Sequence, residues 1–167
     1  MNGSSADLES RVVDDHHQAV KLWLRLLACT TRVETQIRSR LRQEFDTTLP
    51  RFDVLAQLDL AARDGAPGLT MSALSDRLMV TNGNLTGLIE RLVAERLVTR
   101  GPSPTDGRAQ IVRLTAAGKR ALDAMTPEHR TWIDELFGAL SPDELDELHA
   151  LLGRLRDSIA ARRRAAG

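Results

Sequence analysis

The stretch that most constrains the fold runs from Thr70 to Leu114, TMSALSDRLMVTNGNLTGLIERLVAERLVTRGPSPTDGRAQIVRL. Two short helical patterns come first. Two strand-like runs follow, separated by a polar loop. Thr70 suits an N-cap, with Leu74 and Leu78 at helical spacing behind it, and this helix is expected to end near Leu78. Thr81 is placed to cap the second helix, in which Leu85, Leu88, Ile89, Leu92 and Val93 fall on one face. At about 100° per residue the opposite face carries Gly83, Gly87 and Ala94. Asn84 and Arg91 flank that face on one side, Thr86 and Glu90 on the other. Each glycine costs a helix about 1 kcal/mol relative to alanine. A helix carrying two of them on one side is expected to keep that side clear for something to approach. Leu97–Arg100 is a short strand candidate, and Gln110–Leu114 alternates polar and apolar as a half-buried strand does. Gly101–Arg108 between them is a turn-rich loop, so the pair should form a hairpin with a projecting tip. Asp106-Gly107 is a turn signal whatever the function.

The flanking chain reads as helix. From Val12 to Phe45 there is no Gly or Pro, and Val20, Leu24, Leu27, Ile37 and Leu41 recur at helical spacing. Around Leu22–Leu27 the pattern is apolar nearly all round, which predicts burial between several partners. Asp46-Thr47-Thr48 breaks it, and Pro50 fits the first turn of a helix carrying Phe52, Leu55, Ala56 and Leu58 and ending near Gly65. Thr115 is a cap for the next helix, which is expected to kink or restart at Thr126-Pro127 before continuing through Trp132, Ile133, Leu136, Phe137 and Leu140. Ser141-Pro142-Asp143-Glu144 is a capping box with Pro at the first helical position, opening a last helix to about Arg163. The expected organisation is a disordered start over 1–11, a first helix within 12–48, a helix–helix–hairpin domain over 49–114, and C-terminal helices over 115–163. The fold class is mainly α with a small β-hairpin.

Charge narrows the function classes only locally. The chain has 23 Lys and Arg against 23 Asp and Glu, so total charge neither supports nor excludes a nucleic-acid partner. Asp134–Glu147 holds six acids and no Lys or Arg, while residues 154–164 hold five Arg and one acid. No apolar run is long enough for a transmembrane helix, and MNGSSADLES lacks the basic start and apolar core of a secretory signal. With a single cysteine, Cys29, no internal disulfide is possible, and a cytoplasmic location is expected. No nucleophile–base pairing, metal-ligand spacing or phosphate-binding Gly loop appears, which argues against an enzyme, and no cofactor is expected. His16, His17, His129 and His149 lack converging partners in the sequence.

Helix, turn, helix, hairpin is the winged helix-turn-helix order, in which the second helix enters the major groove and the hairpin reaches the adjacent backbone or minor groove. The residue types suit those roles. Asn82, Asn84 and Thr86 are short hydrogen-bonding side chains near the start of the reading helix. Gly83 and Gly87 allow close approach. Arg77 and Arg91 can reach phosphates, and Arg108 at the hairpin tip can enter a narrow minor groove. Taken singly each has a bland alternative: the asparagines as cap or turn residues, the arginines as solvated charge.

The sequence resembles the MarR family of bacterial transcription regulators, from about residue 20 to 160. The resemblance is carried by TTLPRFDVLAQL, LTMSALSDRL, TNGNLTGLIERLVAERLVTR, the wing PSPTDGRAQIVRLTAAGK with its Asp106-Gly107-Arg108, and SPDELDELHALLGRL. It implies a homodimer formed by the first long helix with the two C-terminal helices, with two winged domains reading a pseudo-palindromic operator in double-stranded DNA. It further implies repression relieved by a small aromatic or phenolic anion bound between dimer and winged domains. Carried over by position, Thr81, Asn82, Asn84 and Thr86 stand where bases are contacted and Arg91 where a phosphate is. Arg108 matches the wing arginine and Asp106 the acid that orients it.

The signal is less legible. Some relatives sense peroxide through a cysteine near the start of the first helix. Counting back from the shared Pro50, Leu24 rather than Cys29 stands there, and the accompanying tyrosines are absent. A redox role for Cys29 remains an alternative, as does a winged module that binds protein rather than DNA. Trp23 and Asp64 do not match the spacing of urate-binding relatives. Arg38, Arg40 and Arg42 would suit a phosphate-rich ligand, but a solvated helix face explains them equally. The expected effector is an aromatic-acid type of anion, with Trp23, Leu27, Arg51 and Phe52 as pocket residues.

Overall fold

A computed structural model describes residues 18–79 and 82–165, without the side chains of Asn82 and Arg163. Residues 1–17, with His16 and His17 and the expected disordered start, lie outside the described residues, and so does the proposed cap Thr81. The elements in order are α1 (Gln18–Phe45), α2 (Leu49–Arg63), β1 (Leu69–Thr70), α3 (Met71–Leu78), α4 (Asn82–Ala94), β2 (Val98–Pro102), β3 (Gln110–Leu114), α5 (Ala116–Phe137) and α6 (Pro142–Ala165). The chain divides into two compact units, Met1–His129 and Arg130–Gly167, so the division falls inside α5. Among the described residues, no helix is long and apolar enough to cross a membrane.

Within the first unit, α2 is the hub. Phe52, Val54, Leu55, Leu58, Asp59 and Ala61 are all buried, an arc of about 180° at 100° per residue. That breadth lets α2 contact α1, α3, α4 and β3. Ile37 and Leu41 of α1, Leu74 of α3, and Leu85, Leu88, Ile89 and Leu92 of α4 complete one core with Val98, Ile111 and Val112 of the sheet. The buried ionisable residue Asp59 is satisfied by Arg63 Nε at 2.8 Å and lies 3.4 Å from Lys119 Nζ, which ties α2 to α5.

The capping signals act as their residue types predict. Ala73 N–H donates to Thr70 Oγ1 at 3.1 Å, and Gly118 N–H to Thr115 Oγ1 at 2.9 Å. Ser141 N–H donates to Glu144 Oε2 at 2.8 Å while Glu144 N–H donates to Ser141 Oγ at 3.3 Å, the reciprocal capping box.

Four expectations are corrected. The hairpin is part of a three-stranded antiparallel sheet of order β1-β3-β2, in which Leu69 pairs with Val112 and Thr70 with Ile111. Two residues carry no periodicity, so β1 leaves no sequence signal. Gly68 permits it: its φ is +150°, and a Cβ there would lie 2.6 Å from the Val112 carbonyl oxygen. Second, α5 does not restart at Pro127 but continues as one helix to Phe137. The carbonyl that Pro127 cannot serve belongs to Asp123, and both residues are exposed, so water can serve it instead. Third, Val93 stands at the edge of its apolar face and is 38% exposed. Fourth, Leu22, Trp23 and Leu27 are 55%, 59% and 47% exposed, so this single chain does not bury the most apolar part of α1.

Asp53 lies on the α2 side facing α1. Burial pushes its carboxyl up to about 6, Glu34 adds to the rise, and Arg38 opposes it. A raised acid pKa means that the charged form is disfavoured in the fold. The stability tied to this group is therefore fully present below its ordinary 3.8 and is lost as pH rises through about 6. Asp53→Asn should leave stability at pH 4 little changed and raise it relative to wild type near pH 7, read from denaturation midpoints. A difference independent of pH would contradict this assignment.

Candidate nucleic-acid interface

The face of α4 that points away from the core is built by subtraction. Leu85, Leu88, Ile89 and Leu92 turn inward and are at most 9% exposed. The opposite side is left with Gly83, Asn84, Gly87, Glu90, Arg91 and Ala94, and nothing lies within 4 Å of a Cβ added at Gly83. At Gly87 the nearest neighbour of such a Cβ would be Arg91 Nη1 at 3.8 Å, so the guanidinium reaches back along the bare backbone. Asn84 and Arg91 share a cleft with Thr48 and Pro50 from the start of α2. Thr86 is half-buried on the other flank. Arg77 is exposed in the last turn of α3. The backbone of Asn82 opens α4.

The wing is held by its own turn. Ser103 N–H donates to Ala109 O at 2.8 Å and Ala109 N–H to Asp106 O at 3.0 Å. Asp106 Oδ1 accepts from Arg108 N–H at 3.0 Å, an Asx-type closure that fixes the tip backbone and leaves the Arg108 side chain exposed. Behind the tip, Arg113 Nε donates to Pro67 O at 2.9 Å and its Nη2 to Pro102 O at 3.0 Å. One guanidinium thus joins β3 to the end of β2 and to the loop before β1. Sequence reasoning read Arg113 only as an alternating polar position, because both acceptors are carbonyls distant along the chain.

A second missed contact holds α4 in place. Arg51 in the first turn of α2 forks onto Glu95 just beyond α4, Nη1 reaching Oε1 at 2.8 Å and Nη2 reaching Oε2. The hydrogen bonds raise Arg51 above the usual arginine range and hold Glu95 below the usual carboxylate range. Arg51 Nε stays buried without a hydrogen-bond partner among the described residues. The same residue borders a cavity of about 260 Å3 lined also by Phe45, Asp46, Leu55, Leu97 and Met125.

Of the four expected effector residues, only Arg51 lines this cavity. Phe52 is buried and stacks on His129 with ring centroids 4.5 Å apart; burial lowers the pKa of that histidine. Trp23 and Leu27 are exposed on the first half of α1. Cys29 is exposed too.

This geometry is similar to that of known proteins. Residues 45–109, from the end of α1 to the wing tip, match the MarR family model. Over these elements the chain is similar to the MarR family. An uncharacterized HTH-type transcriptional regulator of Bacillus subtilis, YkoM, is 35% identical over 82 residues, 49% of this chain and 53% of YkoM. This chain therefore spans only about half the length of that relative. An uncharacterized HTH-type transcriptional regulator of Bacillus cereus is 29% identical over 135 residues, 80% of this chain and 86% of its own. Among solved structures, a mutant MarR from E. coli complexed with operator DNA matches with a TM-score of 0.71 and 26% identity, over 85% of this chain and 98% of that one.

The open space at Gly83 has a consequence for stability. Gly83→Ala should raise the unfolding free energy by about 0.5–1 kcal/mol, through helix propensity and a less free unfolded chain. Gly118→Ala should lower it, because a Cβ there would overlap the Leu97 carbonyl. Denaturant unfolding followed by circular dichroism separates the two signs.

Proposed function

We propose that this protein is a transcriptional regulator that binds a pseudo-palindromic operator as a homodimer and is released by a small aromatic anion. The observation that carries the DNA reading is the bare outer face of α4, with Gly83 and Gly87 at its centre and Asn84 and Arg91 along one flank. A protein-docking helix gains from side-chain bulk at its centre. A helix that lies in a major groove gains from a backbone that comes close to base edges, with short amides beside it. Asn82, Asn84, Thr81 and Thr86 are the base-reading residues in this proposal, Arg77 and Arg91 hold phosphates, and Arg108 on the tip that Asp106 closes enters the minor groove.

The homodimer is supported by the pattern along α6. Its first half carries Asp143, Glu144, Asp146 and Glu147, and its second half Arg154, Arg156, Arg162 and Arg164. Two copies laid antiparallel set acidic half against basic half twice over, the self-complementary arrangement of a two-fold interface. Leu151, Leu152, Leu155 and Ile159 are 49%, 40%, 40% and 53% exposed, apolar area that such a pairing would cover.

Fluorescence anisotropy with duplexes from the protein's own promoter tests the reading. One duplex should be retained over scrambled DNA at moderate salt, with two chains per site by sedimentation. Arg108→Ala should weaken binding with that stoichiometry intact, and Gly83→Ala should weaken it while the fold becomes more stable. No preference for any promoter duplex would sink the DNA reading.

For the effector, the supporting observation is the cavity beside Arg51, lined mainly by apolar residues together with Asp46 and Thr47 and by one partly buried guanidinium. A single-ring aromatic carboxylate would set its ring against Leu55 and Met125 and compete with Glu95 for Arg51. Such acids should raise the thermal midpoint of the wild-type protein and lower operator affinity. Arg51→Ala should abolish both effects; a response that survives this substitution would place the effector elsewhere.

A further inference from the structure

Two clefts meet at the start of α2. One, of about 350 Å3, is lined by Thr48, Pro50, Asn84, Leu88 and Arg91 among others. The other, of about 370 Å3, is lined by Arg38, Arg42, Thr47, Thr48, Leu49 and Pro50. Thr48 and Pro50 belong to both, so the flank of α4 that bears Asn84 continues without a break onto the last turns of α1. Arg91, Arg42 and Arg38 stand along this track, and no acid lines either cleft among the described residues. Arg42 is exposed and makes no ion pair among the described residues. Arg38 donates to Glu34 at 2.8 Å, but both partners are solvent-exposed, and such a pair is readily exchanged for a stronger anion. Thr48 occupies the N-cap of α2 without using its hydroxyl there.

We propose that this track carries the sugar-phosphate backbone of the duplex outward from α4, with Arg91 on one phosphate and Arg42 and Arg38 on phosphates further along the same strand. The inference rests on the operator reading above and extends the footprint to α1, beyond the winged elements. Three features select duplex backbone as the occupant. The track is continuous with the proposed base-reading flank. Its cations are divided between two adjoining clefts, Arg91 in one and Arg38 and Arg42 in the other. Both clefts are open, which suits a polyanion passing through better than a small anion enclosed. A duplex carries a negative charge about every 1.7 Å of its axis, so a row of arginines beside the groove meets phosphates in sequence. Near-zero net charge makes such local rows the main source of attraction.

The test is the salt dependence of operator binding by the full-length protein. R38Q/R42Q should weaken binding and reduce the slope of log K against log salt by about 1 to 2, as expected for one or two lost phosphate contacts. R38K/R42K, which keeps the charges, should restore most of the slope. R32Q, an exposed arginine of α1 that lines neither cleft, should behave as wild type. If R38Q/R42Q keeps the wild-type slope while R91Q loses affinity, the operator reading stands and this extension falls. Affinity lost equally in the glutamine and lysine pairs would mark a structural effect and overturn the phosphate role. A wild-type protein that prefers no promoter duplex overturns both readings.

Discussion

The broad apolar arc of α2 is the constraint on which the first unit depends. A surface helix buries a stripe; α2 buries about half its circumference and so touches a helix or strand on several sides. The elements that define the winged domain are therefore positioned against one shared rod. The core side of α4 has only to fill the space that α2 leaves, and four aliphatic residues at i, i+3, i+4 and i+7 do so. The fork from Arg51 to Glu95 adds direction to this packing. Hydrophobic contact alone lets a short helix roll, whereas a two-pronged ion pair at its C-terminal end resists rotation.

That division of labour explains how α4 can carry residues that weaken it. Gly83 and Gly87 reduce intrinsic helix stability, and the helix persists because its inner face is fully engaged. The same trade appears in the wing, where the tip closes through Asp106 and its base is held by Arg113 reaching two separate carbonyls. In both places, hydrogen bonds and packing on the protected side leave the outward side free. The proposed contacts of Asn84, Arg91 and Arg108 are drawn from such outward sides.

The proposed effector and DNA surfaces meet at the start of α2. Arg51 faces the cavity and Glu95, while Thr48 and Pro50, on the adjoining turn, line the open clefts beside Asn84 and Arg91. An anion that drew Arg51 away from Glu95 would free the end of α4 within one helical turn of the proposed phosphate track. The coupling required is short: Arg51 already holds Glu95, which follows Arg91 by about one helical turn.

Much of this architecture is determined by the sequence alone, because local chemistry specifies it. Thr70, Thr115 and Ser141 cap helices through bonds spanning three residues, and the leucines of α4 define its inner face by spacing. The Asp106 turn needs only its own neighbours. Tertiary structure decided what depends on residues far apart in the chain. The strand β1 exists because Gly68 lets the backbone come close to Val112. Arg113 finds Pro67, and Arg51 finds Glu95, across 46 and 44 residues. Which of the expected effector residues share a cavity is not legible in the sequence for the same reason. Trp23, Leu27, Arg51 and Phe52 were grouped by residue type, but a cavity is a property of packed surfaces. Packing sent Phe52 onto His129, left Trp23 and Leu27 exposed, and brought Arg51 to Leu97 and Met125, which no periodicity connects.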